Sequence, residues 1–143
     1  MTEASLRSTD PLSVIPETDF HATVVALGRL HGWIVGYTHD SRRSEPGEPD
    51  LRMVHEEWRR VIFAECKDQD GQLTPGRHRG TGRSRRWLPG QDDWARALKA
   101  CPGVEYYLWR PSDSDLVEAI LSNPRLASRL YAGNPELPEV ANA

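Results

Sequence analysis

The run Val61-Ile62-Phe63-Ala64-Glu65-Cys66-Lys67 constrains this chain more than any other stretch. Read as a strand it alternates sides, with Ile62, Ala64 and Cys66 facing one way and Val61, Phe63, Glu65 and Lys67 the other. A segment this apolar belongs in the centre of a sheet, buried on both faces. A carboxylate and an ammonium two residues apart at its end are costly there unless something compensates them. Asp50 lies fifteen positions before Glu65, within Gly47-Glu48-Pro49-Asp50-Leu51, about the separation of two adjacent antiparallel strands joined by a turn. An acid on one strand, with an acid and a lysine on the next, composes a place for a divalent metal ion and a phosphate.

At 143 residues the chain is one domain's worth, with a single core. It is 38% hydrophobic and 27% charged, and no apolar run approaches membrane length. The N-terminus mixes Glu3, Arg7 and Asp10 with small polar residues and lacks the apolar centre of a signal peptide. The expectation is a cytoplasmic protein with no membrane partner. Cys66 reads as a reduced, buried small hydrophobe rather than half of a disulfide with Cys101. The net charge of −3 argues against a generalised nucleic-acid binder, but its distribution is uneven. Residues 71–90 carry Arg77, Arg79, Arg83, Arg85 and Arg86 and no acid, so this window is +5 and the remainder −8. A basic segment on an acidic body can contact phosphates locally while the total stays negative.

Residues 1–15 show no periodicity and read as a loose tail. Pro16 suits the first turn of a helix, along which Phe20, Val24, Leu27 and His31 form an amphipathic stripe. Gly32 caps it, and a strand follows from Trp33 to Tyr37. Glu17, in the first helical turn, reads initially as a carboxylate complementing the helix dipole. Arg42 and Arg43 fall in a polar, turn-rich stretch, where a solvated loop and phosphate contact weigh about evenly. Pro49 marks a strand start, with Asp50, Leu51, Met53 and His55 along it and residues 56–60 turning into the central strand. Asp68-Gln69-Asp70-Gly71 ends that strand in a turn, without the later ligands of a calcium loop. His55-Glu56-Glu57-Trp58-Arg59 lacks the second histidine of a zinc-protease helix, and two distant cysteines make no structural zinc site.

Residues 76–90 hold four glycines, Pro89 and Trp87, and read as an irregular excursion. Gln91 to Lys99 is a helix with Trp94 and Leu98 inward, stopped by Pro102-Gly103. Val104 to Trp109 is a strand, and Ser112 or Asp113 caps a helix carrying Leu116, Ala119, Ile120 and Leu121. Residues 124–143 read as a C-terminal tail that adds a turn of helix around Leu126 to Leu130 before a loose end. The expected architecture is α/β, a small central mixed sheet flanked by helices in the order αβββαβα, within one domain at 16–123 that carries a basic insertion at 76–90.

Two carboxylates brought within a few ångströms repel. A hard cation such as Mg2+ or Mn2+ removes that repulsion, because it prefers oxygen ligands and keeps several waters. Asp50 and Glu65 would be such ligands, and the main-chain carbonyl of Cys66 another. A cation there makes water easier to deprotonate for attack on phosphorus, and Lys67 can hold that nucleophile or neutralise charge building on the phosphate. Each residue type thus has a task in hydrolysing a phosphodiester. The competing reading is a surface Asp and a solvated Glu–Lys pair worth only ~0–1 kcal/mol.

In order along the chain stand Glu17-Thr18-Asp19-Phe20, Gly32-Trp33, Asp40-Ser41-Arg42-Arg43-Ser44, Gly47-Glu48-Pro49-Asp50-Leu51, Phe63-Ala64-Glu65-Cys66-Lys67, Gly71-Gln72-Leu73-Thr74-Pro75, Gln91-Asp92-Asp93-Trp94 and Tyr107-Leu108-Trp109-Arg110-Pro111. From Glu17 to Leu121 the chain resembles the VRR-NUC group of the PD-(D/E)XK nuclease superfamily, which is Holliday-junction-resolvase-like and common as short stand-alone proteins in phages and bacteria. The resemblance implies a restriction-endonuclease-like core with Asp50 and Glu65 as metal ligands and Lys67 as the catalytic lysine. It also implies Glu17 as a helix-borne acid facing the site and Gln91 as a helix glutamine near metal or phosphate. Branched, flapped or nicked DNA would be the substrate, and no base-reading motif is visible.

Two features depart from the family: Glu48, where an aromatic or small residue is usual, and the insertion at 76–90. They motivate a rival, a catalytically silent DNA-binding or assembly protein that retains the fold. An RNA nuclease or a restriction-type enzyme would share the site. Small nucleases acting on two strands often pair, so a homodimer through the Trp109 strand or the last helix is a further expectation.

Overall fold

The computed structural model describes residues 17–38 and 45–124, with side chains from residue 19 onward. The expected tails at 1–15 and from 125, together with Pro16, Arg42 and Arg43, lie outside the described residues. In chain order the elements are helix α1 (Glu17–Leu30), strands β1 (Ile34–Tyr37), β2 (Leu51–His55) and β3 (Arg60–Cys66), and a short ribbon of β4 (Arg77–Arg79) and β5 (Arg86–Leu88). Helix α2 (Gln91–Lys99), strand β6 (Val104–Trp109) and helix α3 (Ser114–Ser122) complete the order.

Helix α1 follows from its apolar stripe: Phe20, Val24 and Val25 are buried. It ends in a Schellman motif, with Trp33 N–H donating to Gly28 O at 2.9 Å and Gly32 N–H to Arg29 O at 3.1 Å. Gly32 stands at φ +90°, a left-handed conformation a side chain resists. The chain therefore turns directly into β1, and His31 lies in the turn rather than in the helix.

The central sheet is mixed, in the order β1-β2-β3-β6. Strands β1, β2 and β3 run antiparallel, with Leu51 opposite Ala64 and Met53 opposite Ile62. Strand β6 lies parallel to β3, with Ala64 opposite Tyr107 and Cys66 opposite Trp109. The alternation expected of β3 holds. Ile62, Ala64 and Cys66 join Leu51, Met53, Tyr107 and Trp109 in the core under α1 and α3, beside Val117, Ile120 and Leu121. The opposite face is less covered than a fully buried strand would be, since Val61 and Phe63 are only half-buried. Helix α2 lies against β6 on this side, with Lys99 Nζ 5.8 Å from the centre of the Tyr106 ring. Farther along the face Val54 and Ile34 are exposed. The two cysteines are free thiols, Cys66 buried and Cys101 exposed.

Three local expectations need correction. Residues 76–90 are not an irregular excursion: β4 and β5 pair as an antiparallel hairpin, with His78 opposite Trp87 and Arg79 opposite Arg86. In α2 the buried residue is Ala95, while Trp94 is half-buried. The indole Nε1 of Trp94 donates to Pro46 O at 3.0 Å, which keeps that ring at the helix flank. Arg60 belongs to β3 rather than to the turn, and it is buried.

A charge this deep requires partners. The Arg60 guanidinium makes a two-pronged contact with Glu105, Nη2 to Oε1 at 2.6 Å and Nε to Oε2 at 2.8 Å. Its Nη1 donates to the main-chain oxygens of Ile120, at 2.8 Å, and Asn123. The guanidinium carbon sits 5.0 Å from the centre of the Trp33 ring, whose Nε1 donates to Leu121 O at 2.8 Å. Two side chains thus satisfy the last carbonyls of α3, the ones a helix leaves without internal donors. Removing Glu105 alone would strand a buried cation. Glu105→Leu should destabilise the protein by about 3–5 kcal/mol in urea unfolding, while the double variant Arg60→Met/Glu105→Leu should recover most of that loss.

Candidate active site

The site forms where the sheet runs out. The Leu51–Ala64 pairing, continued by one step, brings Asp50 across from Glu65. The chain bends at Asp50, while Thr38 N–H still bonds to its carbonyl at 3.1 Å. Its side chain then takes a ladder position, as Asp50 Oδ1 accepts the main-chain N–H of Cys66 at 3.3 Å. This places the carboxylate beside the peptide that follows Glu65. The other oxygen, Oδ2, lies 3.7 Å from Nε2 of His21 on α1.

Glu65 is 4% exposed, a burial that few carboxylates adopt. Its Oε1 accepts a hydrogen bond of 2.9 Å from Nε2 of Gln91, the first residue of α2. The same amide accepts through Oε1 from Thr74 N–H at 3.0 Å, so both ends of the Gln91 side chain are committed. Gln91 is a neutral donor. It orients the Glu65 carboxylate without neutralising it.

Lys67 extends β3 by one residue, its N–H donating to Trp109 O at 2.9 Å. The alternation of the strand therefore puts its side chain on the Glu65 side of the sheet. Its stem passes over Gly71, where an added Cβ would lie 3.0 Å from Lys67 Cβ. The turn at 68–71 is fixed in its own right. Arg110 Nη2 donates to Gly71 O at 2.9 Å, and Gln69 exchanges two hydrogen bonds with Ser112.

Helix α2 is held at its N-terminus by contacts that tolerate no side chain. A Cβ on Gly90 would lie 2.2 Å from Gly76 N, and one on Gly47 2.5 Å from the carbonyl carbon of Gly90. The loop before Asp50, the segment before the hairpin and the start of α2 therefore meet backbone to backbone. Asp93 closes the helix end, its Oδ2 accepting from Gly90 N–H at 2.9 Å and from Trp87 Nε1 at 3.2 Å. Oδ1 pairs with Arg96 at 2.7 Å. The Gly90 N–H first, then the Arg96 and Trp87 hydrogen bonds, hold the Asp93 carboxyl below its ordinary value of 3.8.

Of the residues expected at the site, Gln91 bonds to Glu65 and the Cys66 amide bonds to Asp50, the register continued by one step sets Asp50 across from Glu65, and alternation puts Lys67 on the Glu65 side. Glu17 opens α1, but its side chain lies outside the described residues. Arg77, Arg79, Arg83, Arg85 and Arg86 are all exposed along the hairpin. Glu48 is drawn aside to Arg52, at 3.6 Å.

His21 is the residue that sequence reasoning passed over. It stands one turn after Glu17 on the same helix face, and that i, i+4 spacing was the available signal. Its ring also meets Tyr37 edge-on at 5.4 Å and lines a cavity of about 380 Å3 with Ala22, Val25, Ala26, Arg29 and Tyr37.

Among the described residues no three His, Cys, Asp or Glu side chains converge into a ready metal cage. Two carboxylates at neighbouring strand ends suit a hard cation that completes its shell with main-chain oxygen and water. Comparisons with protein-family models, with curated proteins and with solved structures returned no match to this chain.

Two outcomes follow from this geometry. Gln91→Ala leaves Glu65 Oε1 and Thr74 N–H without their shared partner, and should lower stability by about 1–3 kcal/mol in urea unfolding. The depressed Asp93 carboxyl contributes stability that is fully present above pH 3.8 and is lost as pH falls through its lower folded value. Asp93→Asn should therefore flatten the acid limb of the stability–pH curve below that pH.

Proposed function

We propose that this protein is a divalent-metal-dependent endonuclease that hydrolyses phosphodiester bonds in DNA, with a preference for branched, flapped or nicked duplexes. The observation that supports the proposal is the strand register, which continued by one step sets Asp50 across from Glu65, with a carboxyl oxygen of each held by its own donor. Two acids aimed from adjacent strand ends, one of them 4% exposed, are an expensive arrangement for a purely structural surface. The resemblance to VRR-NUC nucleases supports the same residues in the same roles and suggests the substrate class.

Asp50 and Glu65 would hold Mg2+ or Mn2+, with the Cys66 carbonyl as a further oxygen. When bound, the ion supplies Lewis acidity and charge neutralisation at the scissile phosphate. Lys67 orients the attacking water and offsets the negative charge that grows on the phosphoryl oxygens. Gln91 keeps the Glu65 carboxylate from rotating, and the amide of Cys66 does the same for Asp50. Positioning of this kind is a large part of catalysis, because a reacting pair already aligned no longer has to be collected from solution.

Against the silent-protein reading, Glu48 lies 3.6 Å from Arg52, which offsets part of its charge. The insertion does not displace α2, as Gln91 reaches Glu65 at 2.9 Å.

Incubation with a panel of fluorescent duplex, nicked, flapped and four-way DNA substrates in Mn2+ tests the proposal. The wild type should cleave at least one branched or nicked substrate, and Lys67→Ala and Asp50→Asn should each lower the rate by more than about 100-fold, the scale of a lost electrostatic contact at a transition state. Equal cleavage by wild type and Lys67→Ala would overturn it.

A further inference from the structure

The hairpin formed by β4 and β5 has two unlike faces. Cross-strand partners share a face, so Arg77 and Leu88, then Arg79 and Arg86, line one side, and His78 and Trp87 the other. Leu88 is buried and roots the first side in the body of the protein. Beyond it Arg79 and Arg86 stand directly opposite each other, a like-charge pair that destabilises a ribbon. Arg83 and Arg85 sit at the tip and nearby, and none of the twelve residues from Arg77 to Leu88 is acidic. A two-stranded ribbon is marginal in water even without such repulsion. An anion lying along the arginines would relieve it.

The aromatic face is unusual in a different way. Trp87 is 48% exposed, the most open of the five tryptophans. It is nevertheless fixed in place. Its Nε1 donates to Asp93, and the ring packs on Gly76, where a Cβ would lie 2.2 Å from Trp87 Cζ2. His78 meets it at 4.9 Å with the planes 73° apart. An edge-to-face pair, unlike a parallel stack, leaves ring faces unmatched within the pair. Rigid, open aromatic surface on one face of a ribbon whose reverse face carries arginines suits an unpaired nucleotide strand that crosses the ribbon's edge. The bases stack on the rings and the phosphates lie along the cations.

We infer that the hairpin is a docking element for an unpaired nucleotide strand, with Trp87 and His78 stacking a base on one face and the long side chains of Arg79 and Arg86, on the reverse face, holding the backbone where it crosses the ribbon's edge. The ribbon is tied to the site through its base. Trp87 bonds to Asp93, Gly76 N–H to Asp92 Oδ1 at 3.2 Å, and Thr74 N–H to Gln91, all within the first turn of the helix whose glutamine holds Glu65. A strand seated on the hairpin is therefore delivered in a fixed relation to the Asp50–Glu65 pair. This deepens the proposed function and rests on it for the purpose of delivery, while the binding itself needs no cleavage.

Fluorescence anisotropy of the full chain in EDTA, with labelled 12-mers of oligo-dT and oligo-U and a blunt 12-base-pair duplex, tests it apart from catalysis. The wild type should bind a single strand more tightly than the duplex, and the dT and U arms identify which sugar is preferred. Trp87→Ala should weaken single-strand binding by about 5- to 100-fold, the range for losing one base–aromatic stack, and change duplex binding by less than two-fold. Trp87→Phe, which keeps a stacking ring but not the bond to Asp93, should retain most of the affinity. Arg79→Ser and Arg86→Ser should each reduce the slope of log K against log salt by about 0.7. The inference is overturned if the wild type prefers the duplex, if Trp87→Ala binds single strands like wild type, or if Trp87→Phe loses as much as Trp87→Ala. Should Trp87→Ala not fold, the Trp87→Phe and arginine variants decide the matter. Intact Trp87-dependent binding with no cleavage in Mn2+ would sink the nuclease reading and leave this one standing.

Discussion

The buried pair of Arg60 and Glu105 is the interaction on which the rest of the fold depends. It joins the first residue of the central strand to its parallel neighbour, and the same guanidinium reaches the last carbonyls of α3. Parallel pairing has no hairpin to set its register, so something else must fix it. Here a two-pronged ionic contact at one end of β3 does so, and Tyr107 Oη adds a hydrogen bond to the same carboxylate at 2.5 Å. Once Ile62 stands opposite Glu105, every later pair follows, through to Cys66 opposite Trp109. Glu65 lies five residues beyond Arg60, roughly 16 Å along the strand at ordinary strand rise. One end of β3 is locked by compensated charge so that the other end can present charge in a defined place.

The two buried glutamates on this sheet show the contrast. Glu105 is met by a cation in a two-pronged geometry that stabilises structure and leaves little room for other chemistry. Glu65 is met at Oε1 by the amide of Gln91, a neutral donor that fixes its direction. Asp50 is held at Oδ1 by the N–H of Cys66, with His21 Nε2 3.7 Å from Oδ2. Continued one step past Asp50, the register would set Pro49 opposite Cys66, and proline has no N–H to give a ladder. The backbone pairing of β2 stops there, and a side chain occupies the place. Ending the sheet with Pro49-Asp50 thus converts a ladder position into a carboxylate with a fixed aim.

Much of this was legible in the letters, and the reasons differ by element. Strand β6 and helix α2 match their expected bounds because Val104 to Trp109 is a dense β-branched and aromatic run, and because Gly90 and Pro102-Gly103 punctuate the helix. The alternation of β3 alone puts Glu65 and Lys67 on one side. What stayed hidden depends on partners distant in sequence. Arg60 reads as one more charge in Glu56-Glu57-Trp58-Arg59-Arg60, and only Glu105, forty-five residues later, explains its burial. The hairpin hid for another reason. Arginine and glycine give little strand signal of their own, and β-propensity depends heavily on what a strand packs against. Here that is Leu88 beneath and Trp87 bound to Asp93. In α2 the large ring of Trp94 was the natural inward residue, but a hydrogen bond to Pro46 kept it at the rim, and the small Ala95 took the tight position.

The hairpin also explains how residues 77–88 can lie between Glu65 and Gln91 in sequence without separating them in space. Its ends return to one point, since Gly76 and Gly90 are packed so closely that a Cβ on Gly90 would overlap the main chain of residues 75 and 76. Seen from α2, the chain might as well have passed straight from Thr74 to Gly90. Asp92 N–H bonds to Thr74 O at 3.2 Å and Gln91 to Thr74 N–H, so the helix is registered on the segment before the insertion rather than on the insertion itself. The hairpin can therefore vary in charge or aromatic content without moving Gln91. Asp93 is where that independence ends, because a single carboxylate serves the helix cap and the Trp87 indole together. The Trp87 indole is thereby tied to the helix end whose Gln91 holds the Glu65 carboxyl group.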